Sequence, residues 1–159
     1  IVRAERKAAI RAIRDGRQVV IRDDYSGKIS GVDAALLNAL LDAGFMPVVA
    51  PLALGAEGER LNVDGDLVAA TIAKALEAES LVILSNVPGL LRDVSDPASL
   101  IGGFGLGQVP AYESVAGGRM KKKLLAAQEA AVGRFIMADS RIERPLDAAL
   151  AGGGTHITR

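Results

Sequence analysis

Cysteine is absent from the chain, which excludes disulfides, thiolate zinc sites and cysteine nucleophiles and makes an intracellular, cytoplasmic enzyme the plainer reading. Tryptophan is absent too, and aromatics are only 3% of the 159 residues, so the core must be built from the Ala, Leu, Val and Ile that dominate an apolar share of 50%. Net charge is lacking as well: 19 basic and 19 acidic side chains cancel, which removes any bulk electrostatic argument for nucleic acid or an anionic membrane. No apolar stretch approaches the roughly 18 residues needed to span a bilayer, because charge or glycine interrupts the longest candidates, so no membrane partner is expected. There is no G-x-S-x-G elbow, no H-E-x-x-H and no Walker A pattern, leaving serine hydrolase, zincin and P-loop readings without support. The lone His156 has no ligand-spaced neighbours and reads as surface or edge, so no protein metal site is expected. The first residues, IVRAERKAAIRAIRDG, carry neither Met nor the order of a signal peptide and read as the interior of something longer or as a processed start.

What is present is an aliphatic, glycine-rich alternation suited to a layered α/β domain with a single core. Residues 7–22 hold two β-prone stretches around Asp15-Gly16, the dipeptide of a type I′ turn, and predict a hairpin. Residues 32–43 place Leu36, Leu37, Leu40 and Leu41 on one helical face, with Gly44 as a left-handed stop. Met46 to Ala50 reads as a strand buried on both faces. A helix from Asp64 to Ala78, a strand from Leu81 to Leu84, a helix from Arg119 to Ala131 and a strand from Arg134 to Met137 continue the pattern. A helix from Pro145 to Leu150 and a strand from Thr155 to Thr158 close it. Strands separated by helices imply parallel pairing through right-handed crossovers. The stretch from Arg92 to Ser114, broken by Asp96-Pro97 and by Gly102, Gly103, Gly105 and Gly107, reads as a mobile surface loop; its GGFGLG is not the dinucleotide fingerprint.

Three constellations carry chemistry. Asn62, Asp64 and Asp66 alternate just before a helix, placed either to project from a sheet's carboxyl edge or to cap the helix, Asp64 as N-cap and Asp66 as a first-turn acid. Ser85-Asn86-Val87-Pro88-Gly89-Leu90 leaves the end of a buried strand and bends at Pro-Gly, a turn whose backbone amides are placed to meet an adenine or a phosphate. Gly117-Gly118-Arg119-Met120 and Lys121 to Lys123 open a helix with cations against its dipole, which asks for an anionic partner or else marks a solvated basic face with Met120 as core.

In that order, Asn-x-Asp-x-Asp, Ser-Asn-Val-Pro-Gly and Gly-Arg-Met-Lys-Lys-Lys resemble the C-terminal half of the amino acid kinase family, which includes N-acetylglutamate kinase. The branch most similar acts on an amino acid attached to the small acidic carrier protein LysW. The resemblance runs from about Lys28 to the end. It implies the three-layer α/β sandwich of that family, with a mainly parallel sheet as in carbamate kinase. It also implies transfer of the γ-phosphoryl of ATP, carried with Mg2+, to the side-chain carboxylate of LysW-linked 2-aminoadipate or glutamate, with free N-acetylglutamate as the alternative acceptor. By the same resemblance Asn62 binds the acceptor, Asp66 orients the lysines or the metal-nucleotide, and Lys123 stabilises charge on the transferring phosphoryl. Ser85, Asn86, Val87, Pro88, Gly89, Leu90, Gly118 and Met120 line the nucleotide site. The family's Lys-x-Gly-Gly strand and His-Gly-Gly loop do not occur here. The chain is therefore expected to supply the ATP-binding half, to be inactive alone, and to belong to a homo-oligomer when whole. A non-catalytic nucleotide-binding or assembly domain is the reading from another class.

Overall fold

In the computed structural model, which describes residues 1–14, 16–21 and 24–159, strands form where apolar and polar residues alternate. Val2–Arg6 (β1) buries Val2 and Ala4 and exposes Arg3 and Glu5, the period-two signature of a sheet with one covered face. Ile10–Arg14 (β2) and Arg17–Ile21 (β3) pair antiparallel with Arg14 opposite Arg17, and Gly16 takes φ +72°. Asp15, the other expected residue of that turn, lies outside the described residues. Gly27–Val32 (β4) returns antiparallel to β1, and the helix Ala34–Asp42 (α1) follows. Leu52–Leu54 (β5) and Arg60–Asn62 (β6) complete a sheet of order β4-β1-β5-β6. Gly27 is required here: a Cβ would come within 2.8 Å of Ala4 and 3.1 Å of Leu61, so its bare backbone lets β4 close over the core.

The caps of α1 follow from its sequence. The Asp33 carboxylate accepts from the Leu36 amide at 3.0 Å, and at the far end the Phe45 and Gly44 amides donate to Leu40 and Leu41 with Gly44 at φ +81°, a Schellman ending. Of the four leucines expected on its buried face, only Leu37 is fully buried, while Leu36 and Leu41 are exposed. The strand expected at Met46–Ala50 does not form. Met46 is 88% and Val48 95% exposed, and Pro47 inside the run and Pro51 just after it offer no amide to a ladder. Pairing begins only after Pro51, in β5.

Composition predicts one core; the chain divides into two compact units, Ile1–Val68 and Ala69–Arg159, with Gly65–Ala75 (α2) starting in the first and ending in the second. The second unit is built on Ser80–Ser85 (β7), Gly103–Gly105 (β8), Arg134–Asp139 (β9) and Thr155–Thr158 (β10), in the order β7-β9-β10-β8. β7 and β9 run parallel, β9 and β10 antiparallel, and β10 and β8 parallel. Phe135, Ile136, Met137 and Ala138 are all essentially buried, as a strand covered on both faces requires. Arg119–Ala130 (α4) turns Leu124, Ala126, Ala127 and Ala130 inward, and Pro145–Leu150 (α5) buries Ala149 against Ile136 and Ala138.

One further expectation is corrected. The stretch from Arg92 to Ser114 is folded rather than a mobile loop: it contains β8, 3-10 turns at Pro97–Ser99 and Leu106–Gln108, and the short helix Val109–Tyr112 (α3). Val109, Ile101 and Phe104 are buried, and the Phe104 and Tyr112 rings stack at 4.1 Å. Gly103 serves close strand pairing, since a Cβ there would lie 2.8 Å from the His156 carbonyl. His156 lies on β10, inside the sheet between β9 and β8, with its Nε2 hydrogen-bonded to the Gly153 carbonyl at 3.1 Å. Among the described residues no helix is long and apolar enough to cross a membrane.

Because Ile136 is completely buried, Ile136→Ala is expected to cost about 2–5 kcal/mol in urea denaturation, whereas Val94→Ala, at a 79% exposed position, should stay within about 0.5 kcal/mol. Equal effects of the two would contradict this placement of the core.

Candidate functional site

The parallel ladder between β7 and β9 runs in register from Ser80 opposite Arg134 to Ser85 opposite Asp139, so both strands end at one carboxyl edge. Open α/β sheets bind their ligands beyond such an edge. There the chain leaves β7 through residues 86–90. Gly89 has φ +152° and sits against Thr155, where a Cβ would come 2.6 Å from Oγ1 and 2.9 Å from the Leu100 side chain. The Leu90 amide donates to Thr155 Oγ1 at 2.8 Å, and that hydroxyl donates to the Ile101 carbonyl at 2.6 Å. The Ile101 amide donates back to the Leu90 carbonyl at 2.9 Å. Proline and glycine bend the turn, while a distant strand holds it.

Above this turn lies a cavity of about 570 Å³, within the usual size of a small-molecule site. One wall is formed by Ser85, Asn86, Val87, Gly89, Leu90 and Leu91, with Val94 beside them; the other by Val115, Gly117, Arg119, Met120 and Lys123. Its character is apolar with cations at one side. The Ser85 Oγ is buried and has no hydrogen-bond partner among the described residues, a costly state that a ligand with a polar group would relieve. α4 starts at Gly118, φ +47°, without a side-chain cap or an acid in its first turn, so its positive dipole end adds to the charge of Arg119 and of Lys121 to Lys123. Lys123 lines the cavity and is half-buried, whereas Lys121 and Lys122 are exposed and do not line it.

Seven of the expected nucleotide-site and catalytic residues thus meet in one place: Ser85, Asn86, Val87, Gly89, Leu90, Met120 and Lys123. Pro88 and Gly118 adjoin the cavity in sequence without lining it; Gly118 shapes the start of α4 and Gly117 lines in its stead. Asn62 and Asp66 belong to the first unit. Asn62 ends β6, exposed, and its amide donates to the Tyr25 carbonyl at 2.7 Å. Asp64 caps α2, its carboxylate accepting from the Asp66 and Leu67 amides at 3.1 and 3.3 Å, and Asp66 sits half-buried in the first turn. No group of three or more His, Asp or Glu among the described residues is placed to hold a metal ion.

Thr155 and Asp139 escaped the sequence reading. Asp139 was open to a simple inference, since it ends the strand beside β7 and must reach the same edge as Ser85. Its carboxylate takes a bidentate grip from Arg141, Nε at 2.8 Å and Nη2 at 2.7 Å, and also accepts from the Arg141 amide at 2.9 Å. Those hydrogen bonds lower its pKa from 3.8 to about 2. A second cavity of about 460 Å³, bordered by Lys74, Glu77, Ala131 and Arg159, lies where α2 and α4 end. Helix carboxyl ends carry partial negative charge, so this cavity is the poorer receptor for an anion despite its two cations.

Residues 6–136 match the profile of the amino acid kinase family. The chain is 45% identical, over 99% of its length, to a LysW-aminoadipate kinase of Deinococcus radiodurans, and 45% identical, over 96%, to one of Thermus thermophilus. It spans only 55% and 58% of those relatives' lengths. Among solved structures, an N-acetylglutamate synthase of Neisseria gonorrhoeae complexed with coenzyme A and N-acetyl-glutamate superposes with a TM-score of 0.82 at 26% identity, covering 99% of this chain and 36% of that one.

Because the folded pKa of Asp139 lies below its unfolded value, the pair's contribution to stability is fully present above pH 3.8 and is lost as pH falls through about 2. In a carboxyl-carbon NMR titration Arg141→Leu should move the Asp139 midpoint up toward 3.8; an unchanged midpoint would refute the assignment of cause.

Proposed function

The chain belongs to the amino acid kinase family and carries an α/β fold of that family, and from that premise we propose that it forms the ATP-binding side of a carboxylate kinase whose acceptor is 2-aminoadipate or glutamate linked to a LysW-type carrier. The observation that carries the reading is the cavity at the β7 edge, with apolar walls on one side and Lys123 beside an uncapped helix start on the other. Apolar walls at Val87, Leu90, Val94, Val115 and Met120 suit a nucleobase, and the cationic side suits its phosphates. The identity to two LysW-aminoadipate kinases supports the acceptor.

Phosphoryl transfer demands little covalent chemistry from a protein; it needs positioning and cations aimed at the equatorial oxygens. In the proposed step an oxygen of the acceptor carboxylate bonds to the γ-phosphorus as the bond to the β-γ bridging oxygen breaks, giving an acyl phosphate and ADP. Lys123 faces the charge that builds on the transferring group, and Arg119 lies near the same mouth. Gly89 keeps the turn low enough for close approach. Mg2+ carried by the nucleotide would offset the charge of its phosphates. The family pattern alone assigns Asn62 to the acceptor and Asp66 to the lysines or the metal-nucleotide; the remaining acceptor contacts belong to the amino-terminal half of the enzyme.

Joined to the amino-terminal half of a LysW-aminoadipate kinase, the chain should form a hydroxylamine-trappable acyl phosphate from MgATP and the carrier-linked acceptor. Lys123→Ala should lower kcat about 10²–10³-fold, and Lys121→Ala far less. Trapping free N-acetylglutamate faster than the carrier-linked acids would reassign the acceptor, and no acyl phosphate from any of them would refute the reading.

A further inference from the structure

Thr155 is completely buried, does not line the cavity, and makes the contacts that fix the cavity's floor. Its Oγ1 accepts from the Leu90 amide and donates to the Ile101 carbonyl, using the hydroxyl in both senses. Around it, Leu91 bridges antiparallel to Leu100, and the Ile101 amide donates to the Leu90 carbonyl. The hydroxyl thus substitutes for the next rung of a ladder that the bend at Gly89 interrupts. A Cβ at Gly89 would meet the same oxygen at 2.6 Å, so the turn passes Thr155 only with glycine there. The strand carrying Thr155 is anchored in its turn between β9 and β8, with Gly154 at φ +90° admitting it close to Met137.

We propose that Thr155 is a positioning residue: through Leu90 and Gly89 it sets the height of the 85–90 turn and so the nucleotide affinity of the site, without touching the ligand. This rests on the nucleotide reading above. Valine has nearly the shape of threonine but leaves the Leu90 amide and the Ile101 carbonyl without their shared partner, whereas serine keeps the hydroxyl.

The test begins with calorimetric titration of the chain with MgATP. Thr155→Val should weaken binding about tenfold, the equivalent of one net hydrogen bond, and Thr155→Ser should restore it. In the joined enzyme the same loss should appear as a raised KM for ATP, with kcat and the acceptor KM little changed. A separate measurement needs no variant: saturating MgATP should slow hydrogen exchange at the wild-type Leu90 amide. Wild-type binding with unaltered affinity in Thr155→Val, or Leu90 exchange indifferent to MgATP, would overturn the positioning role and leave the nucleotide site standing. A wild-type chain that does not bind MgATP would overturn both.

Discussion

Six residues of β7 lie in register against six of β9, and the carboxyl edge inherits its layout from that ladder. Parallel pairing forces both strands to end together, which puts Ser85 and Asp139 side by side and sends the chain after β7 across the top of the sheet. β9 is almost wholly buried, so a one-residue slip would drive Phe135 and Met137 into the packing of the opposite face. α4 packs through Leu124, Ala126 and Ala127, and that packing delivers its cationic start to the edge where the turn emerges. The cavity is therefore a consequence of register and helix packing, with the turn's own residues refining it.

Electrostatics then separates these two cavities. Lysines at a helix start are unfavourable for the helix itself, and the start of α4 offers no carboxylate in its first turn to offset them. Burying Ser85 Oγ without a partner is unfavourable in the same sense. The positive dipole end of α4 itself favours an anion at this cavity. At the other cavity the helix ends already complement the nearby Lys74 and Arg159.

Much of this was legible in the chain's local chemistry. The Schellman ending at Gly44, the Asp64 cap, the helix opening at Arg119 and the helix α5 each rest on contacts within a few residues. What failed depended on distance. Glycines at 102–107 signal either freedom or close approach, and only the presence of β10 some fifty residues later makes Gly103 a pairing residue. Thr155 looks like any strand residue until Leu90, 65 positions earlier, is found on its hydroxyl. The run from Met46 to Ala50 failed for another reason: its apolar composition suggested burial, but Pro47 within it and Pro51 after it deny it a ladder, and Met46 and Val48 are exposed.

The central claim, that a nucleotide occupies the cavity above the β7 edge, is tested most directly by mapping amide chemical shifts of the chain during titration with MgATP. The account predicts shifts concentrated at residues 85–91 and 115–123 and silence around Lys74, Glu77 and Arg159. Shifts centred on the second cavity, or none at saturating nucleotide, would contradict it.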